Sequence, residues 1–377
     1  MHYLQRFKIG ELTDSERIPD DCFNEPFFEE LVQRCYQANL YRAPAWYVNT
    51  FFYIRLATWI AFFACSLAAL YGSLPKAYAV VLVIIQAAAG TSLFGLVAHE
   101  AIHRNFPRHA FFKALLTLAW PVVWPFIIKN PLRFEHNSHH IKIGDPHYDY
   151  EVAAFSDFIR YSGLLAVRPL HRMQHRLALI FYPFYANIIT TIGGIRSGYW
   201  SKHNRPIDSE QLLSLGMTAF YYVVLPALLG QSLLWCAALY LVYQCALFAG
   251  IYAGAAINHF VPSVTEPIPA QHANHFGYYV CHNTTNFCPH SRFWQWYTGG
   301  FHIQIEHHLI PFIPVENLYK AIPIVKELCR KYGYPYKEYN TFRKLWNDHY
   351  AYLRLMAGNT SKHIVNEIAN KHSYQAR

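Results

Sequence analysis

Four long apolar runs, at residues 51–71, 77–98, 212–229 and 233–257, constrain this chain more than any other feature. Each is close to the ~20 residues that a helix needs to cross the hydrocarbon of a bilayer. Short polar breaks at 72–76 and 230–232 join them into two hairpins. Two further apolar stretches, 111–128 and 177–195, are interrupted by Pro121 and Pro125 in one case and by Pro183, Gly193 and Gly194 in the other. Such interruptions, with Trp120 and Trp124 beside the first pair, fit interfacial or re-entrant segments better than clean spans. The expected fold is therefore an all-α integral membrane protein. It has four transmembrane helices in two hairpins, interfacial helices, and a cytosolic helical cap that holds a di-metal site.

Charge sets the orientation. Lysine and arginine crowd the stretch between the hairpins, from Arg104 to Arg205, whereas the two hairpin turns together carry only Lys76. Positive charge marks the cytoplasmic side of membrane proteins, so that stretch and both termini are expected in the cytoplasm. The net charge of +9 is spread through loops and does not form a dense stripe interleaved with stacking aromatics, which argues against nucleic acid as a partner. Three regions are expected: a cytosolic N-terminal segment (1–50), a membrane domain (51–330), and C-terminal cytosolic helices with a tail (331–377). In the first, Phe27, Phe28, Leu31 and Val32 supply an apolar face. Arg6, Lys8 and the acidic residues after them are unlike a signal peptide. The eight cysteines contain no C-x-x-C pair, which speaks against a disulfide framework and a thiolate zinc site.

Histidine is the anomaly, with 22 copies in 377 residues. Three clusters stand out. His99 and His103 frame H-E-A-I-H at the end of the second apolar run. His136, His139 and His140 form H-N-S-H-H, and Gln304, His307 and His308 form Q-I-E-H-H. His259 lies just past the fourth run. Helical residues three or four apart share a face, so each box can aim its imidazoles at one point. Adjacent histidines diverge by about 100° and can serve two neighbouring ions. One H-x-x-H-H is expected by chance only about 0.07 times in a chain of this composition, and motif coincidence is the risk to weigh. An all-nitrogen, thiolate-free donor set suits iron that changes redox state and binds O₂. Gln304 occupies the place of a third histidine in its box and can ligate, hold a water or hydrogen-bond. His302 is a further possible ligand or supporting group. Asp145 and Asp149 stand where a carboxylate can orient a histidine through its far ring nitrogen.

In box order and box context, notably GGFHIQIEHHLIPFIP and HNSHHIKIGDPHYD, residues 50–330 resemble the membrane fatty acid desaturases. The likeness is strongest to the front-end acyl-lipid and sphingolipid members. That resemblance implies a mushroom-like four-span fold. It also implies two iron ions held by His99, His103, His136, His139, His140, His259, His307 and His308, with O₂ as co-substrate. No His-Pro-Gly-Gly cytochrome b5 motif occurs, so the electrons are expected from a separate ferredoxin or cytochrome b5. The first box has Glu100 where the front-end group more often has aspartate, which bears on regiochemistry more than on metal binding.

The expected activity is insertion of a double bond into the acyl chain of a lipid, acyl-CoA or acyl-carrier substrate. An apolar tunnel would set the reacting carbon, with Trp120, Trp124, Phe126, Trp294 and Trp296 as candidate lining. The same site would hydroxylate if oxygen transfer to carbon outran the second hydrogen loss. A membrane zinc metalloprotease is the rival from another class, since H-E-A-I-H matches H-E-x-x-H, but it leaves two clusters idle. A metal transporter would need polar residues along the spans, where little stands beyond Arg55, Gln86 and Gln244. The sequence carries no signal for oligomeric state.

Overall fold

The computed structural model of the chain describes residues 25–42, 45–71, 75–93, 99, 103, 136–146, 148–153, 156–184, 216–217, 219–266, 268–272 and 274–358. These residues are mostly helical. The main elements are α1 (Pro26–Gln37), α2 (Ala45–Tyr71), α3 (Lys76–Leu93), α4 (Gln174–Phe181), α5 (Leu233–Ala255) and α6 (Phe276–Asn283). They are followed by α7 (Arg292–Thr298), α8 (Gln304–Leu309), α9 (Val315–Tyr332) and α10 (Phe342–Met356). A two-residue parallel pairing of β1 (Asn286–Phe287) with β2 (Glu338–Tyr339) was not legible in the sequence. It ties the connection ahead of α7 to the one ahead of α10.

Among the described residues, two helices are long and apolar enough to cross a membrane, Lys76–Leu93 and Leu233–His259. The apolar part of α2, Tyr53–Ala68, is shorter. The run expected at 212–229 is described only in part, as a π-helical turn Phe220–Val224 leading into Leu225–Leu228. The stretch 111–128, with Trp120, Trp124 and Phe126, lies outside the described residues.

The apolar helices pack through small side chains and a few internal polar contacts. Arg55 Nε donates to Ser92 Oγ at 2.7 Å, and Trp59 Nε1 donates to Tyr243 Oη at 3.3 Å. Pairing of this kind is what lets a cation sit in an apolar helix. Gly250 and Gly254 put a G-x-x-x-G notch on α5. A Cβ at Gly250 would lie 2.5 Å from Tyr297 Oη and 2.6 Å from Thr91 Oγ1, and one at Gly254 would lie 3.1 Å from Thr298 Cγ2. Only hydrogen fits at Gly250, and the missing side chains let α3, α7 and the loop at Phe301 close onto α5.

Three helices, α1, α9 and α10, are amphipathic and build the polar side of the molecule. α1 buries Phe27, Phe28, Leu31 and Cys35, one helical face, against α9. Arg34–Glu327 at 2.8 Å and Lys331–Glu30 at 2.5 Å rim that contact. α9 ends at Gly333, whose φ of +71° is the left-handed cap that glycine adopts without strain. α10 packs on α4. There Gln174 Nε2 donates to Leu353 O at 2.8 Å, and the Arg160 guanidinium donates to Gly163 O, Leu165 O and Met356 O at 2.6–2.9 Å. Two apolar cores result, one around α1–α3, α6, α8 and α9, the other around α4 and α10, with α5 contributing to both.

Candidate metal centre

The boxes are short local structures brought together at the ends of the apolar helices. His103 N donates to His99 O at 3.3 Å, a contact four residues apart that ties the first pair together. Residues 136–141 are helical, which stacks His136 above His140. His259 closes a 3-10 turn at the end of α5, and α8 carries Gln304, Glu306, His307 and His308. All eight sequence-predicted histidines are buried except His136, which is half-buried.

Their ring nitrogens fall into two groups, each with its donor atoms within 4.8 Å of one another. The first comprises His99, His103, His136, His140 and His307; the second comprises His139, His259 and His308. In the first, His136 Nε2 lies 2.8 Å from His99 Nε2, 3.1 Å from His103 Nε2 and 3.0 Å from His140 Nε2. His307 Nε2 lies 3.0 Å from His140 Nε2. In the second, ring centroids are 4.7–5.0 Å apart. His140 and His308, one from each group, stack at 4.1 Å, so the groups adjoin. Both adjacent pairs divide between the groups, as the 100° turn between neighbouring helical residues dictates.

Electrostatics favour neutral imidazoles with lone pairs available. Burial, reinforced by the neighbouring rings, holds His136, His140, His307 and His308 well below the usual histidine range. One imidazole nitrogen cannot satisfy three others as a donor, so the crowd of Nε2 atoms around His136 is a set of lone pairs converging on a common point. The second group is oriented from behind. His139 Nδ1–H donates to Asp149 Oδ2 at 2.9 Å, and Gly144 N donates to the same oxygen at 2.7 Å. His259 Nδ1–H donates to the carbonyl of Asn283 at 3.2 Å. Both bonds fix the tautomer that leaves Nε2 as a lone-pair donor, the usual way a protein aims a metal-binding histidine. The donor set therefore fits two neighbouring divalent transition-metal ions.

The other expected residues are placed differently. Gln304 is buried, and its Oε1 makes no hydrogen bond to the described residues. His302 lies outside both groups. Its Nδ1 bonds Thr298 Oγ1 at 3.0 Å, its Nε2 lies 3.5 Å from Tyr319 Oη, and burial lowers its pKa to about 3. Asp145 is buried in the turn before Asp149, where its carbonyl accepts from Asp149 N at 2.7 Å. Of the aromatics expected to line a tunnel, Trp294 stacks on Phe342 and meets Phe287 edge-on, and Trp296 is exposed.

Two supporting groups escaped the sequence reading. Glu306, inside the third box, is fully buried and accepts from Asn286 Nδ2 at 2.7 Å and Tyr336 Oη at 2.6 Å. Asn286 Oδ1 in turn accepts from Ile305 N at 2.9 Å, so β1 grips α8 at two points. Burial raises the Glu306 carboxyl to about 7. His349 on α10 donates from Nδ1 to Phe260 O at 2.9 Å, next to His259, and accepts from Tyr182 Oη at 2.5 Å. A carboxylate placed between a glutamine and a histidine pair was the only available hint of the first; nothing in the sequence pointed to the second.

The chain matches the fatty acid desaturase family model over residues 74–340, well over half its length, and belongs to that family. It is an oxidoreductase of the class that introduces double bonds into lipid acyl chains. It is 24% identical over 280 residues to the sn-1 linoleoyl-lipid 6-desaturase of Synechocystis sp., covering 69% of this chain and 75% of that protein. It is 23% identical over 300 residues to the enzyme of the same name from Arthrospira platensis, covering 74% and 78%. The acyl-lipid (8-3)-desaturase of Physcomitrium patens is 29% identical over 150 residues, covering 36% and 29%.

Proposed function

We propose that this chain is a membrane-embedded acyl-lipid desaturase of the front-end type, with two iron ions held by His99, His103, His136, His140 and His307 and by His139, His259 and His308. Two adjoining imidazole groups at the ends of apolar helices carry the reading; the family match and the relatives' acyl-lipid substrates give it a direction. Four transmembrane helices, with both termini and the histidines on the cytoplasmic side, follow from the apolar runs and the cation-rich stretch between them. Zinc proteolysis is disfavoured, because His99 and His103 share their group with three more histidines.

The reaction removes one hydrogen from each of two adjacent methylenes and reduces O₂ to two waters, so two electrons and two protons must be supplied. Bound iron would supply the O₂ activation that an unactivated C–H bond demands. The chain's own residues do the rest. Asp149 and the Asn283 carbonyl hold His139 and His259 in one tautomer and one orientation. Burial keeps bulk water from the imidazoles, and α8 spaces one histidine in each group. Gln304, buried with its oxygen unbonded, is available as a weak ligand or a water holder. The electrons come from a separate ferredoxin or cytochrome b5.

Lipid profiling by mass spectrometry in a heterologous host, wild type beside His139→Ala, tests the proposal. A new unsaturated acyl species absent from the variant is expected. A hydroxylated product instead would assign the alternative outcome of the same site, and identical profiles despite good expression would sink the reading.

A further inference from the structure

The helices α4 and α10 present a cationic face that nothing in the metal centre uses. Together with the 3-10 turn Pro169–Met173, they carry Arg172, Arg176, Arg343, Lys344 and Arg354 against a single carboxylate, Asp348. Asp348 is already engaged, accepting from Tyr339 Oη at 2.9 Å. All five cations are exposed. Arg343, Tyr350 and Arg354 follow one another at helical spacing along the outer side of α10. Across the α4–α10 contact, His175 sits edge-on to Tyr350, with ring centroids 5.4 Å apart, and within reach of the charges of Arg176 and Arg354. The nearby cation Arg168 is instead neutralised by Asp157 at 2.7 Å. The result is a patch of one sign with an exposed aromatic, Tyr350, at its centre.

The inner side of the same helix leads to the metal centre. Trp346, half-buried, lies 5.7 Å from the ring of His349. His349 donates to the carbonyl of Phe260, and the chain runs directly from Phe260 to His259 of the three-histidine group. One hydrogen bond and one peptide link therefore separate α10 from an imidazole of the centre. Burial of His349 keeps its pKa low, at about 4, so the relay stays neutral at cellular pH.

Resting on the activity proposed above, we infer that the face formed by Arg172, Arg176, Arg343, Tyr350 and Arg354 is the docking surface for an acidic one-electron carrier protein, with Trp346, His349 and the Phe260 carbonyl as the contact path toward His259. Each docking oxidises the carrier by one electron, and two dockings supply the pair of electrons that accompanies two protons in reducing O₂ beside the substrate. Charge complementarity selects the partner: a carrier with a carboxylate-lined rim meets the four arginines of this face, with Lys344 beside them, and among the described residues of these helices the one carboxylate, Asp348, is already engaged. A rim of this kind acts mainly on association and is screened by salt. An anionic membrane surface would satisfy the same cations and would also accept the exposed Met173, Leu179 and Ile180 beside them, but it would make no use of the path behind them.

The test measures carrier binding directly, on the full metal-free chain in lipid nanodiscs, with a plant-type [2Fe–2S] ferredoxin and a soluble cytochrome b5 domain as probes. Arg176→Glu/Arg354→Glu is compared with Lys320→Glu/Arg330→Glu, an equal charge change on the exposed side of α9. For at least one probe, the α4–α10 reversal should weaken binding at low salt by about 10-fold or more and flatten its salt dependence, with the α9 pair moving it less than about 3-fold. Equal effects of the two pairs would reduce the result to net charge and overturn the assignment, as would no effect, or no binding of either probe to wild type. If the reversal leaves carrier affinity intact but lowers Tm only in anionic-lipid discs, the face serves the membrane and the inference fails. Turnover of the iron-loaded wild type with dithionite reports on the desaturase reading separately, since it needs no carrier.

Discussion

The two histidine groups adjoin, yet they are built on different plans. Five imidazoles crowd the first, linked by four Nε2 contacts of 2.8–3.1 Å, and histidine supplies every donor. The second has three imidazoles, two of which are held from behind by a carboxylate and a carbonyl. Among the described residues, the rings of the first group are positioned by packing on one another. The sparser group depends on its outer partners for orientation, and with three protein donors it has room for exogenous oxygen ligands. Sparse ligation with firm outer support is where reactivity is expected; dense ligation is where an ion is simply kept.

The largest expected effect breaks either group outright. His136→Ala and His308→Ala should each lower unsaturated product by more than about 100-fold, since each removes a metal-binding donor. Iron per chain should fall toward one in both, and an unchanged stoichiometry in either would collapse the two-group picture. Asp149→Asn sharpens the contrast. It should weaken one iron by roughly 10–100-fold and leave the other, because such outer partners typically count for that much; a graded chelator titration followed by Mössbauer spectroscopy would show one species lost before the other. Loosening α8 should show no such preference, because it delivers His307 to one group and His308 to the other. Asn286→Leu removes both grips of β1 on α8 and is expected to cost about 1–3 kcal/mol and to broaden both iron signals together; broadening of one alone would uncouple them.

The smallest expected effect lies away from both groups and serves as their control. Glu25 is buried, accepting from Gly277 N at 2.6 Å and Tyr334 Oη at 3.2 Å, and burial raises its carboxyl to about 7. A carboxyl whose folded pKa is raised binds its proton more tightly in the native state. Stability should therefore fall as pH climbs from about 4.5 toward 7, by at most about 3 kcal/mol, and level off above that. Glu25→Gln should flatten this slope in thermal unfolding without altering iron content; an unchanged slope would assign the titration elsewhere.

What the sequence made legible was local. The i, i+3 and i+4 spacings nominated seven of the eight histidines, His259 was added by its place past the fourth run and by the family resemblance, and the apolar runs marked where helices stand. Which histidine joins which group depends on how boxes more than thirty residues apart meet, and no spacing within a box encodes that. His302 illustrates the limit: it sits in the third box's neighbourhood, yet Thr298 and Tyr319 claim its ring. Trp294 shows the same dependence, because the Phe342 ring that stacks on it arrives from a helix some fifty residues later. Glu306 and His349 were invisible because their importance lies in partners that pairing β1 with β2 and docking α10 bring to them.

Gly250 and Gly254 describe no chemistry, yet they set the gauge of the whole centre. Any methyl at Gly250 must push back Thr91 or Tyr297, and with them α3, which leads to His99, or α7, which leads to the third box. A chain so altered would retain every imidazole and lose their spacing. Its catalytic competence is thus tuned by two bare hydrogens that belong to no donor residue.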